Sequence, residues 1–599
     1  MRVLILDGHS SAAIEAMQSL GRHGAHVDVA CGAEDCIAFR SRYIGERLKQ
    51  PPLEPLEAAT GWLRSLAPAY DLVIPATDVS LLVLRALGED EPARRKAVLP
   101  RNAALDVALD KDATRELGER LGVPVPASEL IAQGAAVPPC ERYPVVLKSI
   151  RSRVLIDGEN RRLAAVIARD AAERERVLCR WLPYTSVQQQ EYAIGHGFGI
   201  EMLFDRGRLA WQFAHERIHE VPLTGGGSSY RRSITPPRSL AAMAERMLAA
   251  LNWHGVAMVE FRGSRTLGFR LMEINPRLWG SLALAIDCGV DFPWGLALLA
   301  TGRALPKQPS YRAGYYTRHP CSDLSWQRAN LRADRHDPFL LTRPRLVSAL
   351  ELLRPLWGAE SWDHFDWRDP ALAAAMLAAI ARDEAGRLRA RLGRSAEQWL
   401  ALRHHRRVMA EIAARGRPAR ILFVCYGNIC RSPVAAGLAR QRLPGVEIAS
   451  AGFHETQGRS TPAHVRRAAG FALEPHASRR VKLPDVAWAD LILCMEPSNL
   501  QRLRREFPQA ASRATLLGLF ANPPLHEIAD PDALPEPETR AVVRTIRSAV
   551  EGLRAWLDDH FRVTPTSVSG SQVASSGNTV ITAIQSTIMK KKGSDASAT

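Results

Sequence analysis

Two short apolar runs constrain this chain more than any other feature. RVLILDG (2–8) and ILFVC (421–425) each hold an almost unbroken series of large apolar side chains. Runs of that length are strands buried on both faces, the kind found in parallel sheets flanked by helices. The first passes through a small-residue turn into AAIEAMQSLGRHG, which has helical period, and then into HVDVACG, another strand. That is the strand–helix–strand unit of a parallel sheet. A similar alternation ends at DLVIPATDVSLLVLRAL. The second run follows RGRPAR (415–420), which reads as a linker, and opens a separate domain. With 599 residues, and about 100–200 per domain, three to five units are expected.

Between the two runs the texture changes twice. After LDKDATRELGERLGVPVPAS it becomes α+β, with strands expected near 144–148, 186–192, 198–204 and 269–274. From about 306 to 418 it reads as helical, for example LAAAMLAAIARDEAGRLRARLG, with Trp357, Trp362 and Trp367 nearby. After Trp556 and a last helix, the end of the chain is rich in Ser and Thr and poor in large apolar groups, which predicts disorder. No internal repeat is visible.

Composition narrows the function classes. Hydrophobic and charged fractions of 46% and 24% suit a globular protein with several cores. No apolar run is long enough to span a bilayer, and MRVLILDGHSS turns polar too soon for a signal peptide, so a cytoplasmic protein is expected. The nine cysteines are scattered and form no CxxC pair, which argues against a zinc site or a disulfide framework. The net charge of +16 invites a nucleic-acid reading. Only nine of the 79 basic residues are lysines, however, and no basic run is interleaved with aromatics, so no nucleic-acid partner is expected.

The second run continues as VCYGNICRSP (424–433). A strand ending in Cys425, a tight loop containing Gly427 and a helix beginning near Ser432–Pro433 make a phosphate cradle. Backbone N–H groups and the helix N-terminus supply positive potential, and Pro433 suits a first helical turn. Arg431 offers a planar fork for two phosphate oxygens. Such a field favours the thiolate, so the geometry offers thiolate attack on phosphorus.

The C-x5-R spacing is weak alone, but its context resembles the low-molecular-weight protein tyrosine phosphatases in order along the chain. IASAGF (448–453), HASRR (476–480), ADLILCME (489–496), ATLLGLF (514–520) and IADPD (528–532) all have counterparts there. The resemblance implies Cys425 as nucleophile, Arg431 as phosphate clamp and Asp530 as general acid, with Asn428 and Ser432 supporting the loop. Hydrolysis would pass through a phosphocysteine without any cofactor. Cys430 also has a family counterpart; a reversible disulfide with Cys425 and simple packing both remain open for it. One departure is Asp532, where the family commonly has an aromatic residue. An acid at the rim opposes a dianionic phosphate, and Tyr426 is then the candidate for the aromatic wall. An arsenate reductase would need two further cysteines downstream, and only Cys494 follows Cys430.

Upstream, MVEF (258–261) and LMEINPRLWGS (271–281) place Glu260 and Glu273 on adjacent strands with Asn275 close by. Oxygen ligands of that kind suit Mg²⁺ bound together with nucleotide phosphates. E-x12-E-x-N-x-R resembles the metal and phosphate end of the ATP-grasp fold of biotin carboxylase and carbamoyl-phosphate synthetase. The resemblance extends to Lys111 in DKDAT and Lys148 in YPVVLK as nucleotide-facing lysines. In VQQQEYAIGHGFGIEML it implies that the stretch from Gln190 to Ala193 faces adenine, with Glu191 reaching ribose or amine, and it makes Arg277 a substrate or phosphate ligand. PLTGGGSSYRRS (222–233) reads either as a loop closing over phosphate or acyl substrate, or as a surface hairpin. Where the family carries a glycine-rich flap, this chain has SIRSRVLIDGENRR (149–162).

The expected architecture is therefore α/β and α+β multidomain: a leading parallel-sheet domain (1–105), an ATP-grasp domain (106–305), a helical spacer (306–418), a parallel-sheet phosphatase domain (419–562) and a disordered tail (563–599). The resemblances imply a bifunctional enzyme. One half would bind ATP and Mg²⁺ and join an unidentified carboxylate to an amine. The other would hydrolyse a phosphotyrosine protein or a small phosphomonoester. The alternative is an ATP-binding regulatory module controlling a phosphatase in surface-polysaccharide regulation.

Overall fold

A computed structural model describes residues 1–561 apart from 54, 151–152, 157–158, 533 and 535. The tail expected at 563–599 lies outside the described residues, as do position 562 and four residues of the expected flap. The chain divides into two compact units between Ala385 and Gly386.

The first unit opens with the parallel sheet that the leading apolar run implies. Strands β1 (Arg2–Ile5), β2 (His26–Cys31), β3 (Ile44–Lys49) and β4 (Leu72–Ile74) lie in the order β3-β2-β1-β4. The helix Ser11–Arg22 starts at Ser10, whose hydroxyl accepts from the Ala13 amide, satisfying a donor the helix itself cannot. Ile14, Met17 and Leu20 recur on one face and bury it in the same core as Val3 and Ile5.

Two antiparallel sheets follow. In the first, β5 (Ser128–Ile131), β6 (Val145–Ser149), β9 (Val166–Ala168) and β10 (Val187–Glu191) take the order β5-β10-β6-β9, with a separate pair β7 (Arg153–Ile156) and β8 (Glu159–Arg162). The second contains β11 (His196–Asp205), β12 (Arg208–Val221), β13 (Gly227–Ser233), β14 (Gly255–Ser264) and β15 (Gly268–Asn275), in the order β15-β14-β11-β12-β13. The segment 306–418, expected to be a helical spacer, also adds two strands to this sheet, β16 (Tyr316–Arg318) and β17 (Glu360–Trp362). Buried polar partners fix them there. Arg318 pairs with Glu360 at 2.7 Å, and Tyr230 on β13 donates to Glu360 at 2.8 Å. A helix of 46 residues, Pro370–Arg415, comes next.

The second unit carries β18 (Arg420–Cys425), β19 (Glu447–Gly452), β20 (Leu491–Cys494) and β21 (Ala514–Leu516), all parallel, in the order β19-β18-β20-β21. Ile421, Phe423 and Cys425 enter one core and Leu422 and Val424 another. Burial on both faces explains why the run ILFVC has no polar alternation. Among the described residues, no helix is long and apolar enough to cross a membrane.

One feature of β11 positions charged groups on the large sheet. Gly197 and Gly199 leave that face of the strand bare, and side chains from β12 lie across it. A Cβ at position 197 would sit 2.7 Å from Arg217 Cδ, and one at 199 would sit 2.4 Å from His215 Cε1. Arg217 thereby reaches over β11 to Glu260 on β14, at 2.6 Å. Gly199→Ala is expected to destabilise the first unit by about 1–3 kcal/mol, because the His215 ring is buried and cannot swing away. The check is the urea midpoint of that unit; an unchanged midpoint contradicts the crossing.

Candidate functional site

In the second unit, β18 delivers Cys425 to the end of the sheet, residues 426–430 turn back over it, and the helix Arg431–Arg442 leaves directly from the turn. Cys425 Sγ accepts from the Asn428 amide at 3.2 Å and shares a hydrogen bond with Ser432 Oγ at 3.0 Å. Asn428 holds a left-handed backbone, φ 50°, which few side chains other than Asn adopt cheaply. Its side-chain amide donates to Ser432 Oγ and Ser450 Oγ, and its Oδ1 accepts from the Arg479 amide at 2.9 Å. His476 Nε2 closes on the Asn428 carbonyl at 2.6 Å, and Arg459 donates to the Gly427 carbonyl at 2.8 Å. On β19, Gly452 lets the loop approach: a Cβ there would lie 2.7 Å from the Tyr426 carbonyl oxygen. The expected loop supports therefore surround the thiol.

Arg431 is buried, 2% exposed, and its terminal nitrogens are occupied. One donates to Glu496 at 2.5 Å and to the Ile528 carbonyl; the other donates to Asp530 at 2.6 Å. Burial opposes the guanidinium charge, but Glu496, Asp530 and Cys425 outweigh it and raise the pKa. Among the described residues its Nε is buried without a hydrogen-bond partner. A buried donor left unsatisfied is costly, so an anion in the cradle suits it. Asp530 is therefore within reach of the loop, with its carboxylate 48% exposed. The loop that carries it is held by His464, which meets the Pro531 carbonyl at 3.0 Å. Asp532 is exposed at the rim and accepts from the Cys430 thiol at 3.6 Å. Burial, then Asp532, Asp530 and Cys425, push the Cys430 thiol far up. Tyr426 stands half exposed at the mouth with its edge against His454.

In the first unit, Glu260 and Glu273 face each other across β14 and β15, and Asn275 Nδ2 lies 2.9 Å from Glu260 and 3.4 Å from Glu273. Burial and Glu273 hold the Glu260 carboxyl above the ordinary range although Arg217 opposes the shift. Two facing carboxylates are the hard oxygen ligands that a Mg²⁺ ion takes. Asn275, however, turns its nitrogen toward them, and Arg217 already pairs with Glu260 at 2.6 Å. Among the described residues no group of three or more Asp, Glu, His or Cys side chains is gathered to hold a metal ion. Lys148 on β6 belongs to the same neighbourhood. Burial lowers its pKa to about 8, with Glu273 and Glu260 opposing and Lys111 and Arg262 assisting. Gln190 is buried and donates to Gln188, Glu191 is exposed 3.7 Å from Arg270, and Ala193 lies between β10 and β11. Arg277 pairs with Asp78 at 2.6 Å, at the start of the helix Asp78–Ala86.

The stretch PLTGGGSSYRRS makes the turn after β12 and the whole of β13, and Tyr230 and Arg231 point into the core. They are fully buried, against Glu360 and Asp363 respectively. Its glycines instead cover a second ion pair, Arg262 with Glu220 at 2.6 Å; a Cβ at Gly225 would meet Arg262 at 2.5 Å. Glu496, Arg217, Glu220 and Arg262 were not singled out by sequence reasoning. The glycine pair in GHGFG is the one local signal that side chains cross that strand.

Known proteins resemble the chain in separate stretches. The family described as low molecular weight phosphotyrosine protein phosphatase matches residues 420–562. The family described as ATP-grasp in the biosynthetic pathway with Ter operon matches residues 190–319. A protein-arginine-phosphatase of Geobacillus stearothermophilus is 34% identical over 140 residues, 23% of this chain and 94% of that protein. The low molecular weight protein-tyrosine-phosphatase Etp of Escherichia coli K12 is 39% identical over 114 residues, 18% of this chain and 76% of that protein. An L-amino acid ligase structure from Bacillus licheniformis aligns over 53% of this chain and 78% of its own, at 14% identity and a TM-score of 0.41.

Proposed function

From a chain that belongs over residues 420–562 to the low molecular weight phosphotyrosine protein phosphatase family, and that carries an ATP-grasp domain, we propose a two-step phosphatase joined to a carboxylate–amine ligase. The observation that carries the first part is the buried Cys425 thiol, hydrogen-bonded by Ser432 and the Asn428 amide beside Arg431 and Asp530. Cys425 as thiolate attacks phosphorus in line with the leaving oxygen. The S–P bond forms as the P–O bond breaks, and Asp530, as the acid, protonates the departing oxygen. Asp530 then takes a proton from water, whose oxygen attacks phosphorus and returns the thiolate. Ser432 and the Asn428 amide stabilise that thiolate in both steps. Arg431 holds the equatorial oxygens, which requires it to loosen its bond to Asp530 when phosphate arrives. That exchange frees the acid only in the occupied site.

Phosphotyrosine is the substrate class we assign, with Tyr426 as the aromatic wall. A specific observation favours a second reading, a phosphorylated guanidine: Asp532 puts a carboxylate where a cationic or neutral nitrogen substrate is tolerated better than an aryl ester.

In the first unit, we assign Lys111 and Lys148 to nucleotide phosphates, and Gln190, Glu191 and Ala193 to the adenine side. Glu260, Glu273 and Asn275 would hold Mg²⁺, which supplies charge neutralisation at the phosphates when bound. Arg277 is assigned to the carboxylate or phosphate end, where Asp78 now orients it. A carboxylate would take the terminal phosphoryl group of ATP, leaving ADP, and the acyl phosphate would then give its acyl group to an amine as the bond to phosphate breaks. We place the leading domain at 1–105 and the phosphatase domain at 419–562; the segment after 305 adds β16 and β17 to the ATP-grasp sheet, so the expected boundary at 306 is not kept.

Asp530→Asn is expected to slow turnover by roughly 10²–10⁴-fold for phenyl phosphate and far less for activated aryl esters, whose leaving oxygen needs no proton. Cys425→Ser should abolish turnover of both while still binding phosphate. Steady-state rates against leaving groups of graded pKa decide it; a steeper dependence in Asp532→Asn alone would transfer the acid role to Asp532.

ATP affinity of the intact protein should also depend on pH through Lys148. Its ammonium is present below about pH 8 and lost above, and phosphate binding favours the charged form. Calorimetry should therefore show full affinity below about pH 8 and a fall of up to about tenfold per pH unit above it. Lys148→Arg should flatten that slope. A flat profile in the unaltered protein would remove Lys148 from the nucleotide site.

A further inference from the structure

The segment 341–369 sorts its charges by sign. Every carboxylate in it, Glu351, Glu360, Asp363, Asp366 and Asp369, is buried against the rest of the first unit. Glu351 meets His219 at 3.0 Å, Glu360 meets Arg318, and Asp363 meets Arg231 at 2.5 Å. Asp366 takes the Tyr43 hydroxyl at 3.3 Å, and Asp369 takes the Ser41 hydroxyl and the Arg42 amide. The arginines are all at least partly exposed, although Arg343 also reaches Glu351 at 3.5 Å and Arg354 lies over the Tyr316 ring. Arg345 and Arg368 are exposed and Arg343 and Arg354 half exposed.

Between those arginines the surface is apolar. In the helix Arg345–Glu351, Ser348 and Glu351 face inward, which turns Leu346 and Leu350 outward. Beyond the end of that helix, Leu352, Leu353, Leu356 and Trp357 are exposed as well. Leu346 is 72% exposed, Leu356 79% and Trp357 69%. Trp367 is 76% exposed beside Arg368, and Trp362 and Phe365, also exposed, meet edge to face. A soluble monomer rarely exposes so many large apolar groups together, and such a patch marks an interaction surface.

We propose that this face docks on an anionic membrane surface, with the leucines and tryptophans entering the headgroup boundary and the arginines meeting lipid phosphates. The charge sorting decides between occupants. A second copy related by two-fold symmetry would place the same arginines near one another, with no exposed carboxylate in the segment to pair with them. An anionic bilayer complements both features at once, since leucine and tryptophan beside arginine is the composition of interfacial segments. No covalent step is involved, and the surface is separate from every residue assigned above to chemistry.

The test is co-sedimentation of the full chain with vesicles of phosphatidylcholine alone and with added phosphatidylglycerol. Binding is expected only to the second, weakening as salt rises. The combined variant Leu346→Ser, Leu350→Ser, Trp357→Ser should partition at least about tenfold less, with no change in charge. It alters only exposed side chains, and its thermal melt should match the parent. Arg345→Gln with Arg368→Gln should lower both the binding and its salt dependence. Lys590, Lys591 and Lys592 remain in all variants, so binding through them would leave the serine variant unaffected. That outcome overturns the proposal. So does failure of the parent to bind phosphatidylglycerol vesicles, or a concentration-dependent dimer that the serine variant abolishes without any vesicle binding.

Discussion

A guanidinium taken out of water needs a carboxylate beside it, and this chain buries arginines at the points where its parts must be aligned. Removing one partner of such a buried pair typically costs about 3–5 kcal/mol, because the other charge is stranded. Arg231 with Asp363 and Arg318 with Glu360 and Asp323 fasten the segment around β16 and β17 onto the large sheet. Arg217 crosses β11 to hold Glu260 in place. In the second unit, Arg431 draws Glu496 and Asp530 to the loop around Cys425. A composition with 79 basic residues, only nine of them lysine, is consistent with this use, because the planar fork of arginine can serve two acceptors at once.

The same pairing links structure to the chemistry we propose. Arg431 donates to Asp530, and among the described residues its buried Nε has no hydrogen-bond partner. A bound phosphate would satisfy that nitrogen and compete for the bond to Asp530, so one residue would register occupancy and free the acid. In the first unit the two carboxylates Glu260 and Glu273 face each other in a desolvated site, where burial raises the pKa of Glu260.

Much of this was legible because local chemistry and fold agree. The run ILFVC had to be buried on both faces, and VCYGNICRSP carries its thiol, its amide prop and its helix start within ten adjacent positions. Glu260, Glu273 and Asn275 were readable for a similar reason, being close in sequence on two paired strands. What escaped were partners supplied from far along the chain. Glu496 lies 65 positions from Arg431, and nothing in CMEPS marks it as the acid that holds the clamp. Tyr230 and Arg231 read as loop residues next to GGG, yet Glu360 and Asp363, 130 and 132 positions on, draw them into the core. The helical texture of 306–418 hid two three-residue strands, too short to show a period.

The central claim is that Cys425 forms a covalent bond to phosphorus beside Arg431 and Asp530. Rapid acid quenching of the intact protein during turnover of an activated aryl phosphate, followed by mass spectrometry of its peptides, tests this directly. The account predicts one added phosphoryl group on the peptide carrying Cys425, at the thiol and at no other side chain. Turnover at full rate with that thiol unmodified at every quench time, and the phosphoryl group found elsewhere, would contradict it.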